Sequence, residues 1–393
     1  MKSVGLALAF AVCTFQLGAA SIREFCDRAE RREPLTVVYF GCSLTWGANA
    51  SDPNRTSWRA LSGEKLRRQY PNTPFRFIDA SIGGTSSDSA VFRVERDVLA
   101  YKPDLVFVDF TANDNEYACD DMMSRSLEGI FRQLLRGRPS CAVAYVVLPR
   151  MKTVKETDVS TLKRYREHLG LATAYNIPIA DILGELRGRV ARGKLDFESI
   201  WPKELKDVTH PFDPGYALYA DIVWKSLFEN PSSHRSYLIE KSVFPETYRH
   251  LLRKSFSGIE LPEGWRKTMC SLRAGTYDFL CSRWLDDLVE AAPGAKPFMI
   301  RFTGETCLVF GESHKSSGRA KFVVDGKVVS EEDCGAMGRQ FDPSAWLVVN
   351  LGKFSVGEHD LQIVPELQEG QNLRIGFVGI AGSEQVELKG CSE

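Results

Sequence analysis

The sequence predicts a two-domain protein in which a three-layer α/β domain with a parallel sheet precedes an all-β sandwich domain. The chain has 393 residues, which is long for one hydrophobic core, so two domains are the natural expectation. Short apolar runs alternate with helix-length amphipathic stretches from Thr36 to about Glu229. After Asn230-Pro231-Ser232-Ser233 the pattern changes to closely spaced, strand-like runs.

In the first part, nearly continuous apolar runs predict strands that are buried on both faces. These runs cover 36–40, 75–82, 105–111, 141–148 and 178–182. Helices are predicted between and after them, at 58–70, 87–100, 122–136, 159–175 and 214–228. Such alternation is typical of a parallel sheet covered by helices on both sides. Functional sites in these domains lie beyond the carboxyl ends of the strands.

The second part is predicted to be a β-sandwich, because short strand-like runs follow one another with turn residues between them. Two of the expected turns are Asp325-Gly326 and Gly357-Glu358. We therefore assign residues 21–232 to the α/β domain and residues 233–393 to the sandwich. The strand-like runs cover 297–302, 306–310, 320–324, 346–351, 359–363 and 373–380.

The N-terminus has the layout of a secretory signal peptide over residues 1–20. Lys2 precedes an apolar run from Val4 to Leu17, and Gly18-Ala19-Ala20 supplies small residues for cleavage. The run is shorter than the roughly 18–20 residues of a membrane span. A secreted or periplasmic protein without a membrane span is therefore expected. The formal net charge of −1 gives no indication of a nucleic-acid partner.

The cysteine count is odd once the predicted signal peptide is removed. Of ten cysteines, Cys13 lies in that segment and nine remain. In an oxidising compartment at least one thiol then stays free or pairs between chains. Disulfides are expected mainly in the second half, with their connectivity left open; the cysteines there are Cys270, Cys281, Cys307, Cys334 and Cys391.

Three polar blocks follow the first three predicted strands. The first contains Gly41-Cys42-Ser43-Leu44, where a serine on a tight turn exposes its hydroxyl, as a nucleophile requires. The second contains Gly83-Gly84, where absent side chains let the backbone approach a ligand. The third contains Asn113-Asp114, and an asparagine there can direct its amide at a developing oxyanion. Each block alone also fits an ordinary loop or an Asx turn.

The fourth block, Asp207-Val208-Thr209-His210, precedes the last predicted helix. An acid three residues before a histidine can accept a hydrogen bond from one ring nitrogen and leave the other to act as a base. His210 is the only one of the six histidines with an acid at that offset. Because the chain has 51 acidic residues, this spacing alone also arises by chance.

Taken together and in this order, the four blocks resemble those of the SGNH/GDSL hydrolases. The resemblance covers residues 35–230 and implies a flavodoxin-like α/β fold. It also implies a serine esterase that needs neither a metal nor an organic cofactor. Ser43 is then the nucleophile, His210 is the general base and Asp207 is the partner of His210.

The same resemblance implies an oxyanion hole made of the Ser43 and Gly84 backbone N–H groups and the Asn113 side chain. Gly83 replaces Gly84 if the register of the loop shifts by one residue. One departure is Cys42, which stands where the family often has aspartate. Because side chains alternate along an extended chain, Cys42 and Ser43 are expected to point in opposite directions. We therefore expect Cys42 to be buried and Ser43 to be the nucleophile.

The implied substrate is an acylated carbohydrate, because the second domain resembles the jelly-roll-like modules that accompany SGNH domains in carbohydrate esterases. Removal of acetyl groups from a polysaccharide is our first expectation. Three alternatives stay open: a lipase or thioesterase for longer acyl groups, a polysaccharide O-acetyltransferase, and a non-catalytic glycan-binding protein. Glycosylation sequons at Asn49-Ala50-Ser51 and Asn54-Arg55-Thr56, if used, would crowd the cleft near Ser43. This favours a bacterial source.

Overall fold

The computed structural model describes residues 18–115 and 120–390. This part of the chain contains two sheets, one of five parallel strands and one of nine antiparallel strands. The predicted signal peptide lies outside the described residues except for its last three, and Cys119 and Cys391 also lie outside. None of the helices in the described residues combines the length and the apolar character that a membrane crossing requires.

The first domain has the predicted α/β architecture, with a parallel sheet between layers of helices. Its strands are β1 (Leu35–Phe40), β2 (Phe75–Asp79), β3 (Leu105–Val108), β4 (Ala142–Val147) and β5 (Ile179–Asp181). The order in the sheet is β2-β1-β3-β4-β5. Since β1 lies between β2 and β3, the loops that follow these three strands meet at one edge. The sequence blocks after the first three strands are therefore neighbours in space.

Most of the predicted helices of this domain occur within a few residues of their expected bounds. The helices are α1 (Ile22–Glu30), α2 (Ser43–Trp46), α3 (Trp58–Gln69), α4 (Ser87–Ala90), α5 (Val94–Asp97), α6 (Met122–Gly137), α7 (Met151–Lys155), α8 (Lys163–Ala174), α9 (Ile182–Ala191), α10 (Phe197–Ile200) and α11 (Asp213–Leu227).

The continuous helix predicted over 87–100 is wrong, because α4 and α5 are two separate short helices. Val91 and Phe92 lie between them and are buried. Phe92 packs so closely on Gly379 of the second domain that a Cβ at Gly379 would lie 2.7 Å from the ring. This contact between residues distant in sequence overrides the local helical pattern. The periodicity of apolar residues does not report such contacts.

The second domain is a half-barrel or sandwich built from one large antiparallel sheet, as the all-β prediction required. The sheet order is β11-β10-β12-β9-β13-β8-β7, with β14 paired to β9 and β6 paired to β13. A short helix, α12 (Ala336–Gln340), precedes β12. The strands are β6 (His250–Ser255), β7 (Trp265–Thr268), β8 (Leu288–Ala291), β9 (Phe298–His314), β10 (Arg319–Val324), β11 (Lys327–Asp333), β12 (Ser344–Glu366), β13 (Leu373–Gly382) and β14 (Glu387–Gly390).

Two pairs of predicted strands are single long strands in the structure. The runs at 297–302 and 306–310 both belong to β9, and those at 346–351 and 359–363 both belong to β12. The expected turn at Gly357-Glu358 is wrong: Gly357 lies inside β12, beside a shift in register, and pairs with Gly304 of β9. Glycine in a strand often marks such an irregularity rather than a reversal. The Asp325-Gly326 turn between β10 and β11 occurs as predicted.

The two domains share a hydrophobic core. The cluster that surrounds the parallel sheet also contains Trp284, Leu285, Phe310 and Phe377 of the second domain. A separate core fills the interior of the large sheet. Residues 233–249, which precede β6, lie along the first domain; for example, the backbone N–H groups of Val243 and Phe244 donate to Glu128 of α6.

The expectation of disulfides in the second half is wrong for the cysteines that the structure describes there. Their thiols are free and buried, and they pack as small apolar side chains. These residues are Cys270, Cys281, Cys307 and Cys334.

Candidate active site

The candidate nucleophile lies on the turn between β1 and α2. Ser43 is the first residue of α2, and its side chain is mostly covered, with 8% of the residue exposed. The turn is tight enough to require glycine at position 41. A Cβ at Gly41 would lie 2.6 Å from Thr45 Oγ1 and 2.9 Å from the Asp109 carbonyl oxygen. The sequence thus bends sharply enough here to present Ser43 at the carboxyl edge of the sheet.

Cys42 points away from this edge, as alternation along the chain predicted. It is fully buried, and its Sγ donates to Asp109 Oδ2 over 3.5 Å. Thr45 Oγ1 donates to the same oxygen over 2.7 Å. Burial, reinforced by nearby Asp109, raises the pKa of the Cys42 thiol well above its usual value. The thiolate that a cysteine nucleophile needs is therefore strongly disfavoured at this position.

The structure brings Ser43, His210 and Asp207 together into one hydrogen-bonded chain. Ser43 Oγ lies 2.7 Å from His210 Nε2, and His210 Nδ1 lies 2.7 Å from Asp207 Oδ2. Both ring nitrogens are thus engaged as a general base requires. The short loop from Asp207 to His210 sets this geometry, because it precedes α11 and turns the ring towards the end of β1.

The Asp207 carboxylate is held in place by several donors. Its Oδ1 accepts the backbone N–H groups of Thr209 and His210, at 2.7 and 2.9 Å. Burial alone would raise the pKa of Asp207, but the hydrogen bonds from the His210 ring and from these N–H groups outweigh it and hold the pKa well below the usual range. Asp207 therefore stays ionised and favours the tautomer with the proton on His210 Nδ1. His210 Nε2 is then free to accept the proton of Ser43.

Sequence reasoning missed one residue that contacts this carboxylate. Asn49 lies in the loop after α2, and its Nδ2 donates to Asp207 Oδ2 over 3.0 Å. Its backbone is left-handed, with φ of 67°, which asparagine tolerates better than most residues. An asparagine six residues after the serine is a weak signal alone, since loops commonly contain it.

The predicted oxyanion residues lie on two loops that are joined to each other. Asn113 Nδ2 donates to the Thr85 carbonyl oxygen over 3.1 Å, and Ser86 Oγ donates to the Asn113 carbonyl oxygen over 3.1 Å. In the described part of the chain, neither the Ser43 N–H nor the Gly84 N–H has a hydrogen-bond acceptor. Gly84 is exposed and has φ of 74°, which favours glycine.

The arrangement has the parts needed for acyl transfer. It offers an oxygen nucleophile, a base in contact with it, an ionised carboxylate behind the base, and backbone N–H groups that can donate hydrogen bonds to a negatively charged oxygen. The structure brings the residues of all four sequence blocks to the same edge of the sheet. It also adds Trp346, a second-domain side chain that contacts the Gly83-Gly84 loop.

Comparisons with known proteins agree with this architecture. Residues 39–218 match the sequence model of the GDSL-like lipase/acylhydrolase family. Among curated proteins, none matches the sequence of this chain.

In structure, the chain is similar to a two-domain esterase (CEX) active on acetylated mannans, crystallised with mannopentaose. The TM-score is 0.69 at 20% identity, covering 94% of this chain and 97% of that chain. A second crystal structure of a two-domain esterase (CEX) active on acetylated mannans gives a TM-score of 0.68 at 20% identity, covering 94% of this chain and 99% of that chain. These similarities establish that the two-domain fold is shared along nearly the whole chain.

Proposed function

We propose that this protein is a carboxylic ester hydrolase, and specifically a carbohydrate O-acetylesterase that acts through a Ser43 acyl-enzyme. The match of residues 39–218 to the GDSL-like lipase/acylhydrolase family model supports the hydrolase class. The observation that carries the mechanism is the pair of 2.7 Å contacts linking Ser43 to His210 and His210 to Asp207. We further propose that the protein is exported, on the basis of the signal-peptide pattern in residues 1–20.

In the first step, Ser43 Oγ attacks the acyl carbon while His210 Nε2 takes the hydroxyl proton. The bond from the acyl carbon to the sugar oxygen then breaks, and His210 returns the proton to that oxygen. In the second step, a water molecule attacks the acyl-enzyme, with His210 again accepting a proton. Acetate leaves, and Ser43 recovers its proton.

The tetrahedral intermediates of both steps carry a negatively charged oxygen. The Ser43 and Gly84 N–H groups and the Asn113 amide are proposed to bind that oxygen. The lack of an acceptor for either backbone N–H within the described residues supports this role. One such donor is typically worth about 10²–10³ in turnover.

The carbohydrate part of the proposal is supported by the second domain. The two-domain esterase that shares this fold is active on acetylated mannans and was crystallised with mannopentaose. The likeness extends over both domains rather than over the hydrolase domain alone. An acetyl group on a polysaccharide is therefore the substrate class that we propose for this chain.

The test is a substrate panel with two readouts. Acetate release is measured from acetylated mannan and acetylated xylan, and turnover is measured on aryl esters from acetyl through butyryl to octanoyl. We expect acetate release from at least one polysaccharide and a steep fall in turnover with acyl length, because a pocket of fixed size excludes extra methylenes. Ser43→Ala is the matched inactive control. Faster turnover of octanoyl esters would establish a lipase and overturn the carbohydrate assignment.

A further inference from the structure

We propose that Trp346 of the second domain is a positioning residue that orients the Gly83–Gly84 peptide so that the Gly84 N–H faces the acyl oxygen. The inference rests on the proposed role of Gly84 and deepens it. It makes the second domain part of the catalytic unit, whereas the sequence suggested a separate accessory module.

The central observation is one hydrogen bond between the domains. Trp346 Nε1 donates to the Gly83 carbonyl oxygen over 2.7 Å. That oxygen and the Gly84 N–H belong to the same peptide group. In a planar trans peptide the C=O and N–H bonds point in opposite directions. A donor that holds the carbonyl end therefore also sets the direction of the N–H end.

This peptide needs an external anchor more than its neighbours do. On one side, the Ile82 N–H donates to the Gly41 carbonyl oxygen over 3.1 Å. On the other side, the Thr85 carbonyl oxygen accepts from Asn113. The Gly83–Gly84 peptide is the central peptide of the turn from Ile82 to Thr85, in which the Thr85 N–H donates to the Ile82 carbonyl oxygen over 3.4 Å. The orientation of the central peptide distinguishes one turn type from another, and glycine at both positions is compatible with more than one type. The hydrogen bond from Trp346 favours one of these orientations.

The indole also packs directly against the loop. A Cβ at Gly84 would lie 2.7 Å from Trp346 Cζ2, so the ring occupies the space that any larger residue at position 84 would need. The ring's own position is set by β12, where Trp346 pairs with Glu312 of β9. The anchor is therefore part of a paired strand in a large sheet.

The strand β12 contacts the first domain at a second point. Asn350 lies four residues after Trp346, on the same face of the strand, and its Nδ2 donates to Asp88 Oδ2 over 2.8 Å. Asp88 belongs to α4, which follows the loop. The alternate residues Leu347 and Val349 face the core of the second domain. One face of β12 thus holds the oxyanion loop and the helix after it, while the other is packed into the sheet.

The experiment replaces Trp346 and distinguishes an effect on the orientation of the Gly83–Gly84 peptide from effects on protein stability and substrate binding. Trp346→Phe removes the N–H donor but keeps an aromatic ring. β-(3-Benzothienyl)alanine at position 346 is the second variant, because it preserves the shape of the indole and lacks only the N–H. The matched control is Trp265→Phe. Trp265 Nε1 also donates to a backbone carbonyl, that of Lys296, over 2.8 Å, but within the second domain's own core.

Four quantities are measured on the full chain: kcat and KM for an aryl acetate, the affinity of a trifluoromethyl ketone, and the thermal midpoint. The ketone forms a hemiketal with Ser43 whose oxyanion occupies the same hole as the transition state. For both position-346 variants we expect kcat to fall by about tenfold and the ketone affinity to fall equally. The Gly84 N–H is then less well oriented, and its contribution to binding the oxyanion is partly lost. KM should change by less than twofold. Trp265→Phe should leave kcat and the ketone affinity unchanged.

Unchanged kcat in a folded position-346 variant overturns the inference, and so does a loss confined to KM, which would make Trp346 a substrate contact. Ser43→Ala distinguishes this failure from failure of the proposed function. If Ser43→Ala is inactive while the benzothienyl variant is normal, only the role of Trp346 is lost. If Ser43→Ala retains turnover, the proposed mechanism itself fails.

Discussion

Replacing Asp207 with asparagine tests the proposed orientation of His210 with little change in shape. In the native site, Asp207 Oδ1 accepts two backbone N–H groups, and Oδ2 faces His210 Nδ1. The asparagine oxygen should remain on the side of the two backbone donors. Its NH₂ group then faces His210 Nδ1, which must accept rather than donate. The ring proton moves to Nε2, where it prevents His210 from accepting the proton of Ser43.

The size of the effect follows from the alternative orientation of the amide. To restore the productive tautomer, the asparagine must flip and turn its NH₂ group towards the N–H groups of Thr209 and His210. Each partly buried donor left without an acceptor costs about 1–3 kcal/mol. Two such losses amount to about 2–6 kcal/mol, or roughly a 30-fold to 10⁴-fold loss of turnover. The upper end equals the approximately 10⁴-fold cost of the same change in a serine protease triad.

The assay is kcat for an aryl acetate at neutral pH, together with the thermal midpoint of unfolding. Asn49→Ala is the matched control, because it removes a donor to Asp207 Oδ2 but leaves the carboxylate charged. We expect it to lose less than tenfold, since one net hydrogen bond contributes about 0.5–1.5 kcal/mol. A folded Asp207→Asn variant that keeps more than a tenth of the native kcat would refute the tautomer argument.

Three further outcomes are expected. Ser43→Ala should abolish hydrolysis of an aryl acetate and Cys42→Ala should retain most of it, as measured by kcat; the reverse would identify a cysteine enzyme. Asn113→Ala should fold normally and lose about 10²–10³ in kcat, and a loss below threefold would remove it from the site. Deleting residues 233–393 strips at least four large side chains from the shared core. At about 1.5–3 kcal/mol each, this is comparable to the stability of a whole domain. The truncated chain should fail to unfold cooperatively, whereas a sharp thermal transition would contradict the shared core.

The strands and most of the helices of the parallel-sheet domain could be anticipated because their signals are local. Apolar runs of strand length and the helices between them indicated both the elements and the edge at which their loops meet. The glycine-bounded turn at Ser43 and the spacing of Asp207 and His210 also lie within a few residues of chain. Local covalent geometry limits such segments to few conformations, so these motifs predict the site without information on tertiary contacts.

Elements with non-local partners were predicted less well. The helix expected at 87–100 is divided where Phe92 packs on Gly379. The strand β12 continues through Gly357, where a turn was expected, and β9 continues through the break expected at 303–305, because pairing with a neighbouring strand holds both extended. The described cysteines of the second half are likewise free and buried, against the expectation of disulfides drawn from their number.

By itself, the sequence determined the α/β and all-β classes, the position of the serine turn and the four polar blocks. Only the tertiary structure decided that Asn49 supports Asp207, that the two domains share a core, and that the Trp346 indole holds the Gly83 carbonyl across 263 positions of sequence. The physical reason is that periodicity and turn chemistry report interactions between near neighbours in the chain. A hydrogen bond between two domains depends on the packing of entire sheets and helices against one another. Local sequence patterns do not predict it.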